Sequence, residues 1–113
     1  MSVHSFSALL VCAVAMITPI AVEANPYNDK LLKLPPETQA QFIKAVMGRA
    51  GETCGNVTRI FFQGLEKDTA IWSFECDGKA NWMLGMEPNS NSYVATCEKM
   101  EKQKAPCWRK ISQ

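Results

Sequence analysis

Histidine is nearly absent from this chain. His4 is the only one among 113 residues, and it lies in an N-terminal segment that we expect to be removed. The remaining chain then has no Ser-His-Asp or Cys-His arrangement that activates a nucleophile near neutral pH. Gly48, Gly51 and Gly55 are too scattered for a glycine-rich phosphate loop. These absences exclude the commonest hydrolase and nucleotide-binding sites.

An excess of charge of either sign is also missing. Twelve basic side chains stand against eleven acidic ones, which gives a formal net charge of +1. A nucleic-acid-binding domain usually carries a clear basic excess, so we expect no nucleic-acid partner. Charged residues at 20% are too few for a disordered polyelectrolyte, and hydrophobic residues at 47% are ordinary for one globular domain.

One apolar run opens the sequence, over residues 6–22. Val22 and Ala24 place compact side chains at the third and the first position before a cleavage site that precedes Asn25. This pattern is typical of a secretory signal peptide over residues 1–24. The alternative is that the leader is retained as an N-terminal anchor. We expect membrane attachment only if the leader is not cleaved. The sequence therefore predicts a periplasmic or secreted protein.

The part of the chain beyond the leader contains an even number of cysteines. None of the intervals between them matches the close C-x2–4-C spacing of a zinc site. These cysteines are Cys54, Cys76, Cys97 and Cys107. An even count in a short exported chain predicts two disulfides. We prefer Cys54–Cys76 with Cys97–Cys107, and Cys54–Cys97 with Cys76–Cys107 is the alternative. Without a C-x-x-C motif we expect no thiol oxidoreductase, and we expect no metal and no cofactor.

A helix is predicted over residues 36–50. Pro35-Pro36 marks its start, because proline is tolerated in the first helical turn. Apolar side chains then recur at steps of three and four, an amphipathic pattern. They include Phe42, Ile43, Val46 and Met47. The polar, proline-bounded residues 25–35 before this helix are interpreted as an ordered N-terminal arm or short linker.

After Cys54 the helical period gives way to alternation of β-branched and aromatic residues with polar ones. Strands are predicted over residues 57–63, 69–76, 80–87 and 92–97. Asp77-Gly78 is a strong signal for a tight turn between two of them. The sequence therefore predicts a single α+β domain over residues 36–113. In it, one N-terminal helix packs on a four-stranded antiparallel meander that two disulfides staple.

The adjacent rings of Phe61 and Phe62 indicate a binding surface. Neighbouring strand residues face opposite sides of a sheet, and a single helix covers only one side. We therefore expect one ring on an open face together with Ile71 and Met83, as an apolar patch for a partner protein. Packing of that ring under the N-terminal arm is the alternative.

The C-terminal segment is rich in lysine and arginine beside Trp108. Such a surface would engage an acidic partner or a membrane surface. A solvated tail held by Cys107 is the plainer interpretation, and the one we prefer.

Two pairs of carboxylates are the remaining candidates for catalysis, Glu66 with Asp68 and Glu75 with Asp77. Both pairs flank predicted turns, where such side chains are usually solvated, so we expect no enzyme. Asn56-Val57-Thr58 is a glycosylation sequon. It opens a predicted strand, and we interpret it as accidental.

The spacing of cysteines and aromatics resembles that of small secreted proteobacterial proteins without assigned activity. The residues that carry the resemblance are Cys54-Gly55, Val57-Thr58-Arg59, Phe61-Phe62-Gln63-Gly64, Trp72-Ser73, Cys76, Gly78, Cys97 and Cys107-Trp108. The similarity as a whole spans about residues 30–110. The resemblance implies export to the periplasm and a shared disulfide-stapled fold, and it implies no catalytic residues.

These features together predict a small exported, non-enzymatic module that binds another protein. Such a module would serve as an accessory subunit of a periplasmic or envelope complex. An inhibitor of a secreted hydrolase, either a lysozyme-type enzyme or a protease, is the alternative. It would need a rigid loop that enters a cleft, and residues 88–91 and 97–107 are the candidates.

Overall fold

The computed structural model describes residues 24–112 of the chain. The elements are, in order, α1 (Pro26–Leu32), α2 (Pro36–Arg49), β1 (Val57–Glu66), β2 (Thr69–Cys76), β3 (Ala80–Met86), β4 (Ser92–Thr96) and α3 (Cys97–Lys102). The predicted signal peptide, apart from Ala24, lies outside the described residues. Within residues 24–112, no helix is long and apolar enough to cross a membrane.

The four strands form one antiparallel sheet in the order β1-β2-β3-β4, which confirms the predicted α+β meander. The turn between β2 and β3 contains Asp77 and Gly78, with φ of 56° and 71°. Positive φ at both central residues is what a two-residue hairpin turn requires, because this backbone twist matches that of the strands. The register of β1 against β2 shifts between Phe62 and Gly64, so the sheet bulges there.

Helix α2 covers one face of the sheet, as predicted. Its Ile43 and Met47 are fully buried. They belong to the same core cluster as Phe74 of β2 and Leu84 of β3, both of which are also fully buried. Removal of these large apolar side chains from water is the main term that stabilises this side of the domain.

The segment interpreted as an arm contains a helix, α1, which packs into the same core through Leu31. Its N-cap is Asn25, whose side-chain oxygen accepts a hydrogen bond from the Asn28 N–H at 3.1 Å. The Asn25 side-chain nitrogen donates to the carbonyl of Met86 at 2.8 Å. An Asn cap before Pro26 is a helix-start signal, but seven residues are too few to show a helical period. Residues 25–35 are therefore part of the domain.

The second face of the sheet is covered as well, which corrects the expectation of an open apolar patch. Ile71 and Met83 are only 8% and 7% exposed. They pack in a second cluster with Cys97 of α3 and with Met100, and further contacts come from Cys107 and Ile111 at the end of the chain. Both faces of the central strands are apolar, so both need a cover. The C-terminal segment supplies the second one.

Two disulfides fasten these layers. Cys54 pairs with Cys76 and Cys97 pairs with Cys107, with Cα–Cα distances of 5.4 and 5.7 Å. The first bond closes the end of the β1–β2 hairpin, where Val57 lies opposite Cys76 in the register. The second ties α3 to the final residues of the chain. The preferred pairing is confirmed, and the alternative pairing is wrong.

Candidate functional site

Trp108 is held in a fixed position at the edge of the C-terminal segment that covers the second face of the sheet. It directly follows Cys107 of the second disulfide, and its φ of 61° lies in the left-handed region. Its backbone N–H donates a hydrogen bond to Ser73 Oγ at 3.1 Å. Ser73 is fully buried in β2, and Gln63 Nε2 donates to the same hydroxyl oxygen. A disulfide and a buried acceptor therefore both position this tryptophan.

The indole of Trp108 lies against two side chains of β1. The guanidinium carbon of Arg59 is 4.0 Å from the ring centroid, which is the geometry of a cation–π interaction. The ring of Phe61 lies 6.4 Å away, centroid to centroid, at an interplanar angle of 45°. Arg59 is exposed, and both rings are half-buried. We call these three residues the Trp108 cluster.

The C-terminal segment that contains Trp108 is rich in basic side chains. We call it the basic cap and define it as residues 97–112. Its cations are Lys99, Lys102, Lys104, Arg109 and Lys110. Among the described residues, the one ion pair joins Lys102 to Glu98 at 3.5 Å, between two highly exposed side chains. Within residues 24–112, the other four cations of the cap have no carboxylate within ion-pair distance. The segment that carries Trp108 therefore has a positive surface charge.

The predicted binding residues separate into three groups. Phe61 and Trp108 meet at the rim of the sheet. Phe62 faces the opposite side, where its ring centroid lies 5.0 Å from that of Trp72 in the main core. Ile71 and Met83 are buried beneath the basic cap. Of the five predicted residues, the structure brings Phe61 and Trp108 together on an accessible surface.

Sequence reasoning missed Arg59 and Ser73. A signal for Arg59 was present, because Arg59 and Phe61 are two positions apart on one strand and therefore share a face. The role of Ser73 carried no such signal. It depends on Trp108 being 35 residues away in sequence and adjacent in space.

Of the candidate carboxylates, Asp77 and Glu75 accept hydrogen bonds from the start of β1 and the residues before it. The Asp77 carboxylate accepts hydrogen bonds from the backbone N–H of Asn56 at 2.9 Å and of Gly55 at 3.3 Å. Glu75 Oε1 accepts one from the Thr58 hydroxyl at 2.9 Å. In residues 24–112, no group of three or more His, Cys, Asp or Glu side chains is placed to hold a metal ion.

Tyr93 is the other prominent aromatic on the sheet face that carries the basic cap. It is 49% exposed, and its ring lies directly over Gly85 of the neighbouring strand. Partial burial of the phenol raises the pKa of Tyr93, and the charges of Glu87 and Glu66 raise it further. Both causes disfavour the phenolate, so Tyr93 has the character of a neutral packing residue.

Comparison with known proteins gives no relative from which a role could be transferred. No protein-family model, no curated protein and no solved structure matches the chain.

Proposed function

We propose that this chain is a small exported, non-enzymatic module that binds an acidic surface of another protein through the Trp108 cluster and the basic cap. One observation carries the proposal. Arg59 lies over the indole of a tryptophan whose backbone is fixed by a hydrogen bond to the buried Ser73 and by the adjacent disulfide. Tryptophan and arginine are the residues most often found at binding hot spots. A side chain that is ordered before binding loses less entropy when the partner docks.

The charge of the basic cap favours an acidic partner. Lys104, Arg109 and Lys110 lie close to Trp108 in sequence and are exposed. Positive charge around an aromatic anchor accelerates encounter with a negative surface and disfavours basic partners. A Lys or Arg side chain at the rim of an interface contributes mainly to the association rate, whereas Trp108 and Arg59 at its centre contribute to its lifetime.

The two disulfides support export. Structural disulfides persist in oxidising compartments and are rare in reducing ones. The apolar N-terminal run with a cleavage pattern before Asn25 supports the same conclusion. An exported binding module without a catalytic constellation is consistent with an accessory subunit of a periplasmic or envelope complex.

Affinity capture with matched variants tests this proposal. The wild-type protein and two variants are cross-linked in the native envelope, and the captured proteins are compared. The test variant is Trp108→Ala. The control is Trp82→Phe, because Trp82 lies on the α2 side of the sheet. We expect one partner that the wild type and Trp82→Phe retain and Trp108→Ala loses. The captured amount should also fall as salt concentration rises, because the contact is charged. Equal capture by Trp108→Ala would refute the assignment of the surface.

Inhibition of a secreted hydrolase is the second candidate, and the geometry of the cap favours it. Residues 97–107 form a loop closed by a disulfide, and Lys104 within it has a φ of 62°. Lys104 follows the C-cap of α3, and its left-handed conformation ends that helix, with the Ala105 N–H donating to the Met100 carbonyl at 2.9 Å. A disulfide-closed helix end with an exposed cation can enter a cleft. Activity assays of lysozyme-type enzymes and proteases with the protein at about 10 μM would reveal an inhibitor of micromolar affinity. Inhibition favours the inhibitor hypothesis, and its absence favours the subunit hypothesis.

A further inference from the structure

A groove lies on the side of the domain opposite the Trp108 cluster, between α1, α2 and the turn that joins β3 to β4. Its volume is about 480 Å³. That volume lies within the range of small-molecule sites in proteins. The groove is lined by Tyr27, Lys30, Leu31, Leu34, Phe42, Arg49, Met86, Ser90 and Ser92.

The floor and walls of this groove are apolar. Leu31 and Met86 are buried at 3% and 2% exposure, and Phe42 is half-buried beside them. Tyr27 and Leu34 are large hydrophobic residues that remain 45% and 38% exposed. An apolar concavity bordered by a few polar groups is the common form of a small-molecule site.

Two cations border the apolar lining. Lys30 is on α1, and Arg49 is the last residue of α2. Within residues 24–112, neither side chain has a carboxylate within ion-pair distance, and none of the described lining residues is acidic. Ser90 and Ser92 add hydroxyl groups on the strand side. The groove therefore combines an apolar interior with an uncompensated positive rim.

We propose that this groove binds a single-chain amphiphile with an anionic carboxylate head. The apolar tail would lie against Tyr27, Leu34 and Phe42, above the buried Leu31 and Met86. The carboxylate would accept charge-assisted hydrogen bonds from Lys30 and Arg49. A cationic or neutral amphiphile of the same length would satisfy the apolar interior but leave both cations unpaired. The site is separate from the Trp108 cluster, so this inference does not depend on the proposed protein-binding role.

The concave shape distinguishes a bound monomer from attachment to a bilayer. An interfacial membrane-binding helix presents a continuous apolar face outward with lysines along its border. Here Leu31 and Met86 lie at the bottom of the groove and are buried. A tail that enters the groove lies above these two residues and between the walls, whereas a bilayer surface would contact the exposed side chains of Tyr27 and Leu34 at the edge.

Titration calorimetry with dodecanoate, below its critical micelle concentration, tests the inference on the folded, disulfide-bonded protein. We expect one dodecanoate per chain and no binding of dodecyltrimethylammonium. Lys30→Gln with Arg49→Gln should weaken binding roughly tenfold or more, because two charge-assisted contacts are lost. Lys44→Gln with Lys79→Gln removes the same charge from exposed positions outside the groove and should change the affinity less than twofold.

Backbone NMR shifts provide a second measurement that needs no variant. Dodecanoate should perturb the amide signals of Leu31, Phe42 and Met86 and leave those of Arg59 and Trp108 unchanged. Absence of binding at about 1 mM, a concentration that detects even weak ligands, would overturn the inference. Equal weakening by both charge variants would also overturn it, as would binding to phosphatidylglycerol vesicles without binding to monomeric dodecanoate.

Discussion

The indole nitrogen of Trp72 donates a hydrogen bond to the side-chain oxygen of Asn28 at 2.7 Å, across 44 residues of sequence. Both side chains are only 2% exposed. This bond joins α1 to the central strand β2 from inside the core, where water cannot replace a missing partner. It explains why a short polar segment is an integral helix of the domain.

Asn28→Ala should therefore destabilise the domain. The Trp72 indole N–H would remain buried without an acceptor, and we expect the free energy of unfolding to fall by about 1–3 kcal/mol. Urea denaturation measures this difference. Asn81→Ala, on an exposed position of β3, is the matched control and should change stability by less than about 0.5 kcal/mol. Equal stability of the Asn28 and Asn81 variants would contradict the role of this bond.

The two disulfides should differ in what they stabilise. Loss of Cys54–Cys76 should lower the free energy of unfolding by about 3 kcal/mol, and loss of the shorter Cys97–Cys107 loop by somewhat less, on the loop-entropy estimate. Replacement of Cys97 and Cys107 by Ser should also shift the indole N–H NMR signal of Trp108, whereas replacement of the other pair should not. Mass spectrometry of unreduced peptides checks the pairing. Any cross-linked peptide with Cys54 and Cys97 would contradict the structure.

Ser73 is a positioning residue for Trp108. Ser73→Ala removes the oxygen that accepts from both Trp108 and Gln63, so one buried and one partly buried donor lose their partner. We expect a loss of about 1–3 kcal/mol in the free energy of unfolding together with a displaced Trp108 indole signal. The exposed Ser112→Ala should change neither quantity. A Ser73→Ala protein with an unchanged indole signal would show that the disulfide alone positions the ring.

The free energy of unfolding should depend on Tyr93 in the alkaline range where tyrosine titrates. Because burial first and then Glu87 and Glu66 raise its pKa above the ordinary 10.0, the folded state favours the protonated phenol. Its stabilising contribution is complete below pH 10 and is lost as the pH rises through the folded-state pKa. Tyr93→Phe should therefore flatten the decline of stability in this range. An unchanged decline would contradict this explanation.

Gly85 provides a separate test of the same tyrosine. A methyl group at Gly85 would collide with the Tyr93 ring, so Gly85→Ala should displace the ring toward water. In a Tyr27→Phe background, ultraviolet absorbance then reports Tyr93 alone. Its pKa should move back toward the ordinary value in Gly85→Ala, and a pKa that does not move would contradict the packing described here.

Local patterns in the sequence were sufficient to predict the sheet and its central helix. The proline pair before α2, the alternation along β2 and the Asp77-Gly78 turn each act over a few residues, and each agrees with the structure. The cysteine pairing followed from the same hairpin, since Cys54 and Cys76 flank it at one end.

Helix α1 and the basic cap were harder to predict because they depend on contacts between distant segments. Helix α1 is anchored by Asn25, which bonds to backbone 61 residues away. The basic cap folds back so that the Ile111 N–H donates to the Gln63 carbonyl at 2.8 Å. Polarity made both segments resemble solvated chain. Ile71 of β2 and Met83 of β3, which share the second face of the sheet, were the available signal for the cap, because apolar side chains on that face need a cover.

Site-specific photo-cross-linking tests the proposed binding surface most directly. A photo-reactive residue in place of Arg109 lies beside Trp108, and one in place of Lys79 lies in the turn between β2 and β3. In the native compartment, the position-109 probe should cross-link to a single acidic protein, and the Lys79 position should not. Addition of Trp108→Ala to the first probe should abolish the product. A product from position 79 but not from position 109, or one that persists with Trp108→Ala, would contradict the account.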